Sequence, residues 1–394
     1  MPIPEIIREP LLSGNLEEAE SLLRAYIQQS PDDRDAQIEH LRVLLGLRRL
    51  QEATESLEKL QAAQGQPDDA AIIGIRGLWH ELNGRLEEAK RDYEAALAIQ
   101  PDQAFICYNL GRLLVYSIEL DDEIAVEAEK HLKQAIQLNP DHFQAQFQLA
   151  ALYTRLNRPV EAVEACRKTI ERNPLHIPSY LFLGEIFSLL GKLNEVIELY
   201  KAGLRVNPLV HAFRDELLRL YRLQDRLDAA YNIALEQSQM RGAYEDFLEL
   251  GKLALQTNQA QSAEVAFLKA ESVKPQDWRA PFNLGEIYRG AKLWDKATEA
   301  YNRALAVAET APIYTGLAIV STQKNGLEGE LQAIEYFQHA WELEPNTPEY
   351  LVNYAVALKQ AGRIEDINKA LERAKPLLPP DHPALQHLHK IINN

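Results

Sequence analysis

Apolar side chains recur along this chain at the spacing of a helix face. In the segment that begins at Ala104, Cys107, Leu110, Gly111 and Leu114 fall at i, i+3, i+4 and i+7, which sets them on one side of a helix with 3.6 residues per turn. A second pattern follows each such segment: a small residue, a large one and another small one, as in Ala89, Tyr93 and Ala96 or Ala297, Tyr301 and Ala304. Short polar stretches such as Asn83-Gly84-Arg85 separate the two patterns, and connections that short force neighbouring helices antiparallel. One slot of the first helix is held by glycine or alanine (Gly77, Gly111, Ala150, Gly184, Gly251, Gly285, Ala355), which permits close approach of the second helix. The pattern predicts helical hairpins from end to end.

The hairpins repeat. Prolines that close a second helix stand at Pro31, Pro67, Pro101, Pro140, Pro174, Pro208, Pro275, Pro345 and Pro379, and four of the gaps between them are 34 residues. The 67-residue gap after Pro208 holds two repeats, with Gly242 near the unmarked boundary, and the gaps of 36, 39 and 70 are one or two repeats with small insertions. The text between the prolines repeats too: GRLEEAKRDYEAALAIQP, NRPVEAVEACRKTIERNP, GKLNEVIELYKAGLRVNP and AKLWDKATEAYNRALAVA, preceded by YNLGRLL, FQLAALY, LFLGEIF, LELGKLA and FNLGEIY. This resembles the tetratricopeptide repeat, with L-G-x-x-Y on the first helix and A-x-x-x-F, a small residue and proline on the second. About eleven copies cover essentially the whole chain.

One hairpin cannot bury both of its faces, so neighbours must stack. The expected fold is all-α: an α-solenoid that, as the resemblance implies, winds as a right-handed superhelix. Residues 1–381 form one continuous solenoid, and residues 382–394 a C-terminal capping helix, part of an amphipathic segment from Asp381 to Ile392. Insertions at Tyr116–Ala125, with an N-cap carboxylate in Asp121-Asp122-Glu123, and around Asn325–Glu330 are expected to protrude from an edge. Pairs such as Glu17-Glu18 and Glu87-Glu88 open second helices, where the helix dipole favours negative charge.

Composition removes several classes of function. Net charge is −16, from 42 basic and 58 acidic residues, which disfavours non-specific binding to nucleic acid or acidic membranes. Apolar runs are far too short to span a bilayer, and the start MPIPEIIREPLLSGNLEEAE lacks the basic and apolar regions of a secretory signal, so a soluble, cytoplasmic protein is expected. Cys107 and Cys166 are too few for a disulfide framework or a structural zinc site and are read as buried thiols. His382, His387 and His389 are read as polar decoration of the cap. No phosphate loop, nucleophile elbow or kinase signature occurs. No catalytic residue, metal site or cofactor is expected.

Binding chemistry is expected on the first helices. Numbering Ala104 as position 1, the core stripe takes positions 4, 7, 8 and 11, and positions 2, 5, 9 and 12 face the opposite way. The resemblance implies that this side lines a concave groove that contacts extended partner segments. Position 5 reads Tyr108, Phe147, Leu181, Asp215, Leu248, Phe282, Thr315 and Val352. Aromatic residues opposite a core stripe need a cover: either a partner, or partly the neighbouring repeat. Phe105 adds to the patch. The four positions carry seven basic residues (Arg112, Arg219, Arg222, Lys252, Arg279, Arg289, Lys359) and six acidic ones (Glu81, Glu185, Asp215, Glu245, Glu286, Glu349) across the third to eleventh copies.

The candidate groove residues are therefore Phe105, Tyr108, Asn109, Arg112, Phe147, Arg219, Arg222, Lys252, Phe282, Asn283 and Arg289. Repeats that grip the C-terminal carboxylate of heat-shock chaperones resemble one another in Lys, Asn and Arg placed on three successive first helices. Asn109, Asn283 and Asn353 match the middle Asn. The flanking slots hold Leu248, Lys252, Pro312 and Gly316 in one case and Gly74 and Leu78 in the other, so that clamp is not expected. The expected function is a non-catalytic scaffold for one or more proteins or extended peptide segments, such as an assembly factor. The alternative is a regulatory or targeting subunit of an enzyme complex.

Overall fold

The computed structural model describes residues 4–13, 15–62, 69–117, 120–323 and 326–376, with 382, 383, 385, 386, 388 and 390. Among these residues there are twenty-two α-helices and no strand. They pair in chain order as eleven hairpins, the repeat count read from the sequence. The first six are α1 (Glu5–Ser13) with α2 (Leu16–Gln29), α3 (Arg34–Gly46) with α4 (Leu50–Ala62), α5 (Ala70–Leu82) with α6 (Leu86–Ile99), α7 (Ala104–Val115) with α8 (Asp122–Leu138), α9 (Phe143–Arg155) with α10 (Pro159–Arg172), and α11 (Ile177–Leu189) with α12 (Leu193–Val206). Then come α13 (His211–Leu223) with α14 (Leu227–Met240), α15 (Tyr244–Gln256) with α16 (Ala260–Val273), α17 (Arg279–Gly290) with α18 (Trp294–Val307), α19 (Ala311–Ser321) with α20 (Leu327–Leu343), and α21 (Pro348–Gln360) with α22 (Ile364–Ala374). The chain forms two compact units, residues 1–213 and 214–394.

Local chemistry sets the helix ends. Asp33, Asp69 and Asp121 cap α3, α5 and α8, each carboxylate accepting a backbone N–H of the first turn at 2.8–3.1 Å, which satisfies a donor the helix itself cannot. The turn inside a hairpin needs one residue at positive φ. Gly84 supplies it at 75°, whereas Asn157 and Lys292 hold the same place at 53° and 57°, in a region that side chains disfavour.

Close packing inside each hairpin comes from a matched pair of sizes. A Cβ on Gly251 would lie 2.5 Å from Phe267, one on Gly285 2.5 Å from Tyr301, and one on Gly77 2.8 Å from Tyr93; Gly184 abuts Tyr200 in the same way. Where the first helix carries Ala150, the equivalent slot of the second helix holds Cys166 rather than a ring, and in the seventh repeat the two slots hold Leu218 and Ala234. Cys107 and Cys166 are both fully buried and unpaired.

Three features differ from the sequence pattern. Position 3, left off the expected stripe, is buried in most repeats (Ile106, Ala145, Ser179, Phe213, Ala280, Ile313), because adjacent hairpins cover a wider arc than one partner helix does. Leu248, expected opposite the core, is 1% exposed and packs with Tyr244, Phe267 and Leu284. The insertions are partly helix: α8 and α20 run 17 residues where α6, α10 and α12 run 14, so each adds nearly a turn. Residues 118, 119, 324 and 325 of those insertions lie outside the described residues, as do Pro67 and Pro379.

At the C-terminus, residues 383, 385, 386, 388 and 390 are helical. Leu385 and Leu388 are buried in one apolar cluster with Leu351, Tyr354, Leu358 and Leu371. Asp381, His387, His389 and Ile392 lie outside the described residues.

Two outcomes follow from this packing. Gly251→Ala should destabilise the protein by about 1–3 kcal/mol in urea denaturation, because the added methyl meets a ring that cannot move. Adding Phe267→Leu should recover much of that loss, since the two sites share one space. Deleting residues 382–394 should uncover the Leu351–Leu358 face and drive oligomerisation with little loss of helicity, as end-exposed repeats do. A truncated chain that stays monomeric and equally stable in light scattering and thermal melts would deny that segment a capping role.

Candidate partner-binding face

In the first unit, Phe105, Tyr108 and Arg112 rise from α7 and Phe147 from α9. Arg112 does not wave free. Its guanidinium lies 2.7 Å from Glu81 of the preceding first helix, donates to the Asn109 amide oxygen at 3.3 Å, and sits 5.9 Å from the Tyr108 ring centroid. From the interior, the Tyr93 hydroxyl donates to the same Glu81 at 3.1 Å. Burial and this carboxylate hold the Tyr93 hydroxyl protonated, far above its ordinary range. A core knob, a carboxylate and a face arginine are thus linked in one chain of contacts.

Phe105, Tyr108 and Phe147 are half-buried, the latter two covered on one side by the next repeat and Phe105 by the preceding ones. The Tyr108 ring lies 4.5 Å from His142, and Phe147 lies 5.1 Å from His176 and 5.6 Å from Phe182. Phe105 packs beside the cluster of Ile72 and Ile75, with Arg42 5.0 Å over its ring. At position 5, part of the Tyr108 and Phe147 rings thus packs between repeats and part stays open, whereas Leu248 is fully covered. Asn109 is buried, and its amide donates back to the Phe105 carbonyl at 2.9 Å.

The second unit spreads its candidates out. Arg219 pairs with Glu216 at 2.9 Å, Arg222 with Glu249 at 2.5 Å and Arg289 with Glu286 at 2.5 Å. Phe282 lies against Trp278 at 5.6 Å and Tyr301 at 5.9 Å, and Asn283 donates to the Arg279 carbonyl at 2.6 Å. Arg279 bridges Glu245 and Asp277 at 2.8 Å, and its hydrogen bonds hold the Asp277 carboxyl far below the usual carboxylate range. Lys252 is exposed and has no ion pair among the described residues. Most of the basic residues on this side are thus neutralised locally.

Sequence reasoning missed the second-helix side. Among the described residues, niches of about 290–430 Å³ lie there between consecutive second helices, floored by the first helix between them, at α4–α6, α8–α10, α10–α12 and α14–α16. The α4–α6 niche gathers Arg76, His80 and Asp92, with Arg76 and Asp92 joined at 2.5 and 2.7 Å. Its Thr54 hydroxyl is already committed to the Leu50 carbonyl and the Trp79 indole. Burial pushes the Cys107 and Cys166 thiols up to about 11 and about 12, which leaves them unreactive. Among the described residues there is no cluster of His, Cys, Asp and Glu suited to a metal ion, and no helix long and apolar enough to cross a membrane.

Family models described as tetratricopeptide repeat match residues 38–104, 119–183 and 248–312. The chain is 31% identical over 144 residues to tetratricopeptide repeat-containing protein trd-1 of Caenorhabditis elegans, a match of 36% of this chain and 17% of that protein. It is 27% identical over 186 residues to human protein O-mannosyl-transferase TMTC3, covering 38% of this chain and 20% of that protein. The chain thus matches about a fifth or less of the length of either relative. Among solved structures, Pseudomonas aeruginosa pilF aligns with a TM-score of 0.43 at 18% identity, over 57% of this chain and 97% of that one.

The histidines behind the face make stability depend on pH. Burial holds His131, His142 and His176 below their ordinary value of 6.5, and the His142 ring accepts the Ala145 N–H at 3.3 Å through Nδ1, a bond that protonation removes. A base whose folded pKa is depressed leaves the fold fully stable above its unfolded pKa. Stability then falls with pH, because the unfolded chain takes the proton first. The melting temperature should therefore drop as pH falls from about 7 to about 5, and His142→Asn, which keeps a cap without a titrating ring, should flatten that drop.

Proposed function

The chain belongs to the tetratricopeptide-repeat family, and from that premise we propose that it is a non-catalytic scaffold whose first-helix face at the fourth and fifth repeats docks an extended segment of a partner protein. The observation that carries this reading is the fixed Arg112. Glu81 holds it from the repeat before, beside a half-open Tyr108 ring. Arginine and aromatic side chains of this kind dominate binding energy where a partner covers them, and fixing them beforehand reduces the entropy lost on docking. Phe105 and Phe147 extend the same apolar surface along two repeats. A role as an assembly factor belongs with this reading. The match to a mannosyltransferase over a fifth of that protein's length keeps a targeting subunit of an enzyme complex as the alternative.

A photo-crosslinking amino acid placed at Phe105 should capture a specific partner, and the same group at Val160, exposed on α10, should not. Once a partner is identified, Arg112→Ala should weaken its binding by about 2 kcal/mol or more, the scale of a hot-spot residue. Tyr108→Ala should also cost the isolated protein about 1 kcal/mol through its lost ring contact with His142. Partner capture from Val160 alone, or binding indifferent to Arg112→Ala, would move the docking surface away from this face. Co-purification of the partner with an enzymatic activity that the chain stimulates would favour the alternative.

A further inference from the structure

The four niches on the second-helix side differ in their rims. The α4–α6 niche is edged by Glu58, Glu88 and Asp92, the α8–α10 niche by Glu161 and Glu164, and the α10–α12 niche by Glu171, Glu195 and Glu198. The niche of about 310 Å³ between α14 and α16 has no carboxylate in its lining. Tyr231 and Leu235 of α14, Phe247 and Leu250 of α15, and Val265 of α16 wall it, and Lys269 is its one charged group.

The absence of acid here has a structural cause. α16 carries two glutamates, and both are turned away and engaged: Glu264 accepts the Tyr288 hydroxyl at 2.8 Å, and Glu271 pairs with Arg303 at 2.8 Å. Its outward residues are instead Gln261, Val265, Leu268 and Lys269, with Val265 54% and Leu268 45% exposed. Lys269 holds its ammonium 5.5 Å over the Phe247 ring at the floor and has no ion pair among the described residues. On a chain of net charge −16, an apolar niche whose only charge is an unpaired ammonium favours an anion that carries a large apolar group.

We propose that the α14–α16 niche is a second docking site, which takes a partner segment presenting one leucine-sized or aromatic side chain beside a carboxylate. The side chain fills the space over Phe247 and Leu250, and the carboxylate pairs with Lys269. This site lies on the second-helix side, so it goes beyond the first-helix face proposed above, and neither stands or falls with the other.

The test uses the full chain and two small probes, N-acetyl-4-fluorophenylalanine and its uncharged amide, followed by fluorine NMR line broadening. The acid should bind in the millimolar range and the amide more weakly. Lys269→Glu should weaken the acid by about fivefold, the upper end for an exposed ion pair, while leaving the amide unchanged. Val265→Trp, made at a half-exposed rim position, should block both probes, with circular dichroism confirming that the helices persist. Equal binding of acid and amide, insensitivity to Lys269→Glu, or no binding by either probe to the folded chain would overturn the proposal.

Discussion

The distance between the two helices of a hairpin is the constraint on which the rest of this molecule depends. It is set where a residue of the first helix meets a knob of the second: Gly77 with Tyr93, Gly184 with Tyr200, Gly251 with Phe267, Gly285 with Tyr301. At these glycines the ring lies against backbone, and Gly111 takes Leu132 in the same way; where the first-helix slot holds Ala150 or Leu218, the second-helix slot holds the smaller Cys166 or Ala234. Interiors at crystal-like density do not tolerate a mismatch of one methyl without strain or a void. Because the hairpin is thin, both of its sides remain apolar and uncovered, and only another hairpin can bury them. Stacking and the repeat length are consequences.

Polar contacts then fix orientation more than they add stability. Arg112 with Glu81, Arg158 with Glu129 and Arg303 with Glu271 each reach from one repeat to its neighbour at 2.7–3.0 Å. Partly exposed pairs contribute little free energy. Two of these carboxylates also meet the buried layer through tyrosines, Tyr93 on Glu81 and Tyr153 on Glu129, and Tyr301 does the same for Glu286, whose arginine lies on its own helix. A carboxylate held from both sides holds its arginine still, and a still arginine beside an aromatic ring is what a docking face needs. The same arrangement disposes of much of the basic charge on the first-helix side, so long-range attraction is not what this face offers. Shape and a few fixed groups are.

The fold was legible because it is periodic. Each repeat restates the same size pattern, and eleven imperfect copies average out the noise that hides a single helix. The face was legible only in part. A period of 3.6 gives the side opposite one partner helix, yet the hairpin behind and the hairpin ahead both cover each first helix. That is why position 3 is core, why Leu248 sank to 1% exposure, and why Tyr108 and Phe147 are half-covered by His142 and His176. The niches left no periodic trace, since each is walled by three helices whose residues are far apart in sequence.

By itself, then, the sequence determined the local rules: helix, turn, helix, a small residue opposite a large one, and the need for a neighbour. These depend on residues within one 34-residue period, where spacing alone decides which side chains meet. The tertiary structure decided what the outer surfaces offer. Whether Arg112 is free or held, whether Asn109 faces a partner or its own helix, and whether an apolar residue such as Val265 edges a cavity rather than an acidic rim all turn on side chains a full repeat away. Such contacts are set by how one hairpin sits on the next.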